Sequence, residues 1–484
     1  MTRLAHLLSA ASLAVMLSGC ELAPDYKAPL VTAPMAFKEN AGWTPARPAD
    51  TAQRGEWWHV FGDADLDRIE QQVTDANQEL KEAAARFAEA RALAKVARSD
   101  LYPTVNATAG ETSGELSHAI ANPLPKRRYD NDVLGLDASY ELDVWGRVRD
   151  AARAANDRAQ ASAGDLTTAS LSLHAEAAVD YLTLRGYDAE AAVLGETVAA
   201  YAKALELTQS RFKAGDAAQA DMDAARAALE LARTKASDVH LDRAKLEHAI
   251  AILTGQPPAM FGIAPRNRDI APPAVAEVLP GELLQRRPDV AAAERRVEAA
   301  NYDIGVARAV FYPSFSLSAL VGTEARAPSP LFTASAATWA AGASGVLNLF
   351  DGGSRHGVRE EAQATFEEAA AHYHQTVLTA YGEVEDNLAA MRLLQDEERT
   401  QAAAVDAATS SRREAERRYA SGYASYFDVI TAQNVELTAK LGLVEIRYRR
   451  VNADVLLIKA LGGGWKVADP AAKQTASFSA DADS

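Results

Sequence analysis

Between positions 134 and 143 the chain alternates. Leu134, Leu136, Ala138, Tyr140 and Leu142 are apolar or aromatic, and Gly135, Asp137, Ser139, Glu141 and Asp143 between them are small or acidic. A period of two is that of a β-strand with one oily face and one wet face. The same period runs through Val105, Ala107 and Ala109, and through Phe315, Leu317, Ala319 and Val321. It is weaker from Trp339 to Phe350, where Ala and Gly dominate. Each stretch is about ten residues long, enough to cross a bilayer when tilted. Four strands do not close a barrel, and open sheet edges are not tolerated in lipid. A membrane reading therefore requires several chains to share one barrel. The competing reading is a small antiparallel sheet on a soluble protein.

Elsewhere the period is that of helices. Phe427, Ile430, Asn434, Leu437, Leu441, Val444, Tyr448, Val451, Val455 and Ile458 recur at steps of three and four. That is a heptad seam, the mark of helices packed at a shallow angle. Met222, Ala225, Leu229, Ala232, Ala236 and Val239 form a weaker version. A first helix is expected from an N-cap at Asp63 to just before Pro103, and another from Pro288 to just before Pro313. Two longer helical stretches run from about Gly146 to Lys213 and from about Arg355 to Ala420. Few globular helices are so long, so a break is expected near Arg185-Gly186.

The pattern is written twice. Leu101-Tyr102-Pro103-Thr104 returns as Phe311-Tyr312-Pro313-Ser314, an offset of 210. Arg211-Phe212-Lys213-Ala214-Gly215 returns as Arg418-Tyr419-Ala420-Ser421-Gly422, and Asp221 as Asp428, at an offset of 207. This divides the chain into an N-terminal leader at 20–62, a first unit at 63–255, a Pro-rich linker at 256–280, a second unit at 281–465 and a polar tail at 466–484. Each unit reads as helix, two strands, long helix, helix.

Composition and charge then exclude whole classes. Lys plus Arg is 50 against 66 Asp plus Glu, a net charge of −16, which argues against a nucleic-acid partner. The single Cys allows no intramolecular disulfide and no Cys-based zinc site. That Cys, Cys20, follows Leu17-Ser18-Gly19 and a short apolar run from Leu7 to Leu17. The arrangement resembles a bacterial lipobox, with a signal peptide at 1–19 removed and Cys20 lipidated. An ordinary secretory signal with an incidental Cys is the alternative. Glu21 in place of Asp is compatible with sorting to the outer membrane. No HExxH, Walker loop or nucleophile elbow is present, and His372 and His374, two apart on a helix, point to different sides. No catalytic residue, metal ligand or cofactor is expected beyond a covalent lipid on Cys20.

Tyr140-Glu141-Leu142-Asp143-Val144-Trp145-Gly146-Arg147, Leu284-Gln285-Arg286-Arg287-Pro288-Asp289-Val290, Leu349-Phe350-Asp351-Gly352-Gly353, Glu383-Val384-Glu385-Asp386 and Ala460-Leu461-Gly462-Gly463-Gly464-Trp465 resemble, together with the lipobox, the TolC-like outer-membrane efflux proteins (outer membrane factors) in their lipoprotein, NodT-like branch. The resemblance covers nearly the whole chain from Trp57 to Trp465. It implies an α+β membrane protein in a homotrimer. Each protomer would give four strands to a shared twelve-stranded outer-membrane barrel and coiled-coil helices to a periplasmic α-helical tube. The channel would take small molecules from an inner-membrane pump through a periplasmic adaptor to the exterior. The rival without a channel is an outer-membrane-anchored coiled-coil scaffold.

The resemblance also points to residues. The turns at Arg211 to Gly215 and at Arg418 to Gly422 match the periplasmic tip, where they dock the adaptor or serve only as turns. Phe427, Asp428 and Thr431 match positions that narrow the tube. Relatives often carry a second acidic residue where Thr431 stands, and some a basic one at Asn434, so the polar constriction here is either weaker or rests on one ring only. Three Asp428 carboxylates near one axis would favour cations. Phe427 is either an apolar plug or a core residue of its seam. Asp221 and Tyr419 match an interhelical latch, whose usual basic partner is replaced by Ala424.

Overall fold

The computed structural model describes residues 22–31, 37–39, 56–117, 119, 128–267 and 287–463. In chain order these form a 3₁₀ turn (Trp57–Phe61), α1 (Ala64–Ala76), α2 (Gln78–Ser99), β1 (Thr104–Glu115), β2 (Arg128–Leu142), α3 (Arg147–Ala214) and α4 (Gln219–Leu253). The second half continues with α5 (Pro288–Ala309), β3 (Ser314–Ala325), β4 (Ala337–Val346), α6 (Ser354–Ala420) and α7 (Tyr426–Ala460). No described helix is long and apolar enough to cross a membrane. The described residues fall into two compact units, one made of those within 22–30, 86–163 and 292–375, the other of the rest.

The first unit holds the sheet, antiparallel throughout and ordered β1-β2-β3-β4. Its central ladder, β2 on β3, joins the two repeats, with Leu136 opposite Val321 and Tyr140 opposite Leu317. Because register preserves the period of two, one face collects Val105, Leu134, Leu136, Leu317, Val321 and Trp339. The other face is tied by polar cross-strand pairs: Asn106 donates to Asp137 at 2.9 Å, Asn131 to Glu324 at 2.8 Å, and Ser316 and Ser344 hydroxyls meet at 2.9 Å. Gly135 lies opposite Gly322, where a side chain on Gly322 would collide with the β2 backbone.

The second unit holds the main core. Trp57, Trp58, Phe61, Leu66, Ile69 and Val73 pack with Leu173, Tyr181, Leu184, Ile250, Val455 and Ile458. The aromatic cluster belongs to a stretch expected to be extended leader. It forms a 3₁₀ turn instead, because three large rings bury more apolar area folded against this core than strung out. Asp63 caps α1 as expected, accepting from the Asp65 and Leu66 amides at 2.9 and 3.3 Å.

Two helix expectations are corrected. The first helix is two, because Asn77 leaves helical geometry (ψ 129°). Its Oδ1 accepts from Leu80 N at 2.9 Å and starts α2, while its Nδ2 donates to the Leu253 carbonyl at 2.9 Å. Conversely, α3 runs unbroken through Arg185-Gly186. Gly186 is there for proximity: a Cβ would sit 2.5 Å from the Tyr448 ring. Arg185 is buried and fully engaged, donating to Tyr181 Oη at 3.0 Å, Asp188 at 2.8 Å and the Ala264 carbonyl at 2.8 Å. These bonds offset the cost of burying a charge in mid-helix.

Candidate functional site

Among the described residues the apolar sheet face is largely exposed. Val105 is 63% exposed, Leu136 50%, Val321 58% and Trp339 77%. β1 and β4 each have one unpaired edge among the described residues. A sheet that is oily on one face and hydrogen-bonded on the other, with two free edges, is incomplete in water.

The two helix turns are copies of each other. Gly215 (φ 85°) and Gly422 (φ 77°) take the left-handed conformation that ends α3 and α6. Asp216 N donates to the Arg211 carbonyl at 2.9 Å, and Tyr423 N to the Arg418 carbonyl at 2.8 Å. Gly215 N reaches the Phe212 carbonyl at 3.0 Å, and Gly422 N the Tyr419 carbonyl at 3.1 Å. These are paired Schellman closures, in which Gly is demanded by the positive φ. The turns present exposed Phe212 and Tyr423. Arg211 lies 4.7 Å over the Tyr419 ring, which in turn stands 5.3 Å from Tyr426.

The residues expected to narrow the tube sit on the first turn of α7. Asp428 is exposed, and its Oδ2 accepts from Ser425 N at 2.9 Å and Ser425 Oγ at 3.0 Å. It is thus the third residue of a capping box. Its repeat partner Asp221 likewise accepts from Ala218 N at 3.2 Å. Thr431 is exposed, with its hydroxyl donating to the Phe427 carbonyl at 2.9 Å. Phe427 is 71% exposed, so the core reading of this residue is corrected. The buried seam begins one position earlier, at Tyr426, Val429, Gln433 and Leu437. Asp221 and Tyr419 make no hydrogen bond with each other. Asp221 caps its helix, while the Tyr419 ring lies under Arg211 and is tilted against Tyr426. Cys20 lies outside the described residues.

Sequence reasoning missed two buried polar groups on the helices of the second unit. Glu436 on α7 meets Arg412, Thr409 at 2.9 Å and Lys440 at 3.1 Å. Burial opposes its charge, but Lys440, Thr409 and Arg412 outweigh it and hold the carboxyl below its usual range. Glu70, fully buried, meets His174 at 2.6 Å, and the His174 ring stacks on Trp58 with centroids 4.6 Å apart. Burial pushes Glu70 up to about 7, against the opposing pull of His174. Only the spacing of Glu70 between the apolar positions Ile69 and Val73 signalled such a site. Among the described residues no cluster of three His, Cys, Asp or Glu is arranged to hold a metal ion.

Comparisons with known proteins agree with this geometry. The outer membrane efflux protein family matches twice, over 70–256 and 279–463. The antibiotic efflux pump outer membrane protein ArpC of Pseudomonas putida is 33% identical over 97% of this chain and 98% of its own length. The cation efflux system protein CusC of Escherichia coli is 27% identical over 94% and 97%. The solved outer-membrane channel OprN superposes with a TM-score of 0.84 at 29% identity, covering 92% of this chain and all of that one.

Proposed function

The chain belongs to the outer membrane efflux protein family, and from that premise we propose that three copies close one barrel and form the exit duct of a tripartite efflux system. β1 of one protomer would pair with β4 of the next, giving twelve strands without a free edge. Small molecules would pass from an inner-membrane pump and a periplasmic adaptor through the duct to the exterior. The energy belongs to the pump, and this chain conducts without catalysing. The observation that carries the reading is the four-stranded sheet with an exposed apolar face and two open edges. Relatives are named for antibiotics, toluene or cations, so the cargo class is set outside the shared fold.

On this reading the twin Schellman turns at Arg211–Gly215 and Arg418–Gly422 meet the adaptor, and Phe427 and Asp428 face the axis of the closed tip. The exposure of Phe427 and Asp428 supports that placement. A lipid on Cys20 anchors the leader in the outer membrane.

The test is the detergent-corrected molar mass of the full-length protein by light scattering, with single-channel recording of the same sample. The expected result is a trimer that conducts. A stable, non-conducting monomer would overturn the channel and return the anchored coiled-coil scaffold.

A further inference from the structure

Each of the four strands has an aromatic residue beside its helix-side end. Tyr102 precedes β1, Tyr312 precedes β3 and Phe350 follows β4, all exposed. Trp145 follows β2, donates its indole N–H to the Pro313 carbonyl at 2.8 Å, and stacks on Tyr312 with centroids 4.7 Å apart. Aromatic rings at the ends of oil-facing strands mark the depth of the lipid headgroups.

The leader is fastened along the last turns of α5, which lead up to β3. Arg308, near the end of α5, donates to the Leu22 carbonyl at 3.1 Å, and Asn301 to the Pro24 carbonyl at 2.7 Å. Ala23 lies over Gly305, where an added Cβ would come within 2.8 Å of the Ala23 Cβ. Cys20 is two residues from this seat.

Beside it lies an open cleft of about 740 Å³, lined by Leu22 and Ala23 of the leader and by Arg308, Phe311, Tyr312, Arg359, Glu360 and Glu367. The size suits a small polar ligand, for which clefts run to roughly 300–1,000 Å³. Its four charged side chains are exposed to solvent. Arg359 stands 5.7 Å over the Phe311 ring, and Arg308 holds only the Leu22 carbonyl. The nearby Arg355 is closed off by Asp351 at 2.6 Å. Arg308, Arg359, Glu360 and Glu367 make no ion pair with one another, nor with any other described residue. Two guanidinium groups and two carboxylates in one cleft present both signs to a ligand.

We propose that this cavity binds the headgroup of a zwitterionic phospholipid of the inner leaflet, of the phosphoethanolamine type. The phosphate meets Arg308 and Arg359, whose planar donors suit its oxygens. The ammonium meets Glu360 and Glu367. Phe311 and Tyr312 border the glycerol, with the tails running along the apolar sheet face. An anionic lipid without an amine satisfies the arginines but leaves two carboxylates beside its phosphate unpaired. The proposal rests on the reading of the sheet as crossing the outer membrane.

The test is lipid retention by full-length protein in detergent, read by native mass spectrometry during titration with phosphatidylethanolamine, phosphatidylglycerol or inorganic phosphate. The expected result is at least about tenfold tighter retention of phosphatidylethanolamine than of phosphatidylglycerol, a difference of about 1.4 kcal/mol. Arg359→Gln, which leaves the Arg308–Leu22 bond in place, weakens both lipids about tenfold. The double variant Glu360→Gln with Glu367→Gln erases the preference by lowering phosphatidylethanolamine and raising phosphatidylglycerol. Equal retention of the two lipids by the unmodified protein overturns the proposal, as does retention indifferent to all three substitutions. Displacement of the lipid by millimolar inorganic phosphate identifies a free-phosphate site and also overturns it. Planar-bilayer conductance is recorded on the same samples. A conducting protein without lipid preference refutes the headgroup site alone, whereas a non-conducting unmodified protein refutes the channel reading beneath it.

Discussion

Placing an arginine at Leu136 tests which face of the sheet meets lipid and how deep. Leu136 lies six residues from Leu142, the last residue of β2. At about 3.3 Å per residue this is about 20 Å along the strand. A tilt of about 45° makes it about 14 Å of depth, close to the middle of an apolar band about 25 Å tall. An arginine at the midplane costs about 2–4 kcal/mol, and one near the interface about 0–1. Leu136→Arg is therefore expected to lower the folding equilibrium per chain roughly 30- to 900-fold. Leu142→Arg, on the same face at the foot, should change it less than about fivefold. Ser139→Arg, three residues from each and on the opposite face, should behave like Leu142→Arg despite its greater depth. The assay is urea-titrated refolding into lipid vesicles, with inserted protein scored by protease protection and by the mobility of unheated samples. Equal penalties at Leu136 and Ser139 would refute the assignment of faces. A penalty at Leu142 matching that at Leu136 would refute the depth.

Two further outcomes follow from the helical surfaces. Asp428→Asn keeps a capping oxygen but removes the charge, so the cation preference, read as the reversal potential across a salt gradient, should fall. Ser425→Ala, which removes a cap contact worth about 1 kcal/mol, should leave selectivity unchanged; the opposite pattern would make Asp428 a cap and nothing more. Glu70 titrates near 7 in the folded protein, above its unfolded value of about 4.5, so its contribution is complete below that lower value and is lost as pH rises through about 7. Glu70→Gln should therefore reduce the loss of urea resistance between pH 5 and pH 8; it will not abolish it, because burial also raises Asp454 to about 7 and Asp180 to about 6. An undiminished loss in the variant would remove Glu70 from the pH response.

The strands were legible because their period of two survives in the register of all three ladders, from Leu136 opposite Val321 to Val321 opposite Trp339. The tip turns were legible because positive φ restricts Gly215 and Gly422 to a residue type that sequence displays. What escaped depends on partners far along the chain. The break at Asn77 is held by the Leu253 carbonyl, and the continuity at Gly186 by the ring of Tyr448. Neither partner is marked locally. Trp57, Trp58 and Phe61 follow a polar leader and carry no helical period of their own, so their place in the core had no local signature. At α7 the heptad ran one residue out of phase in its first turn, because the cap at Ser425 sets the start of the helix and Tyr426, not Phe427, meets the neighbouring helices.

The ladder between β2 and β3 also sets an order of events. When the first hairpin has been synthesised, its β2 edge has no partner until β3 follows, roughly 170 residues later. At about 5–20 residues per second, that interval is about 10–35 seconds. Throughout it, an apolar strand with an open edge is a template for wrong pairing. The hairpin of the first repeat cannot finish its own sheet by folding faster, because its partner does not yet exist. Its survival in that interval depends on something outside the chain, a holding chaperone or a membrane surface, which makes biogenesis of this protein more sensitive to export-stage folding factors than its final stability suggests.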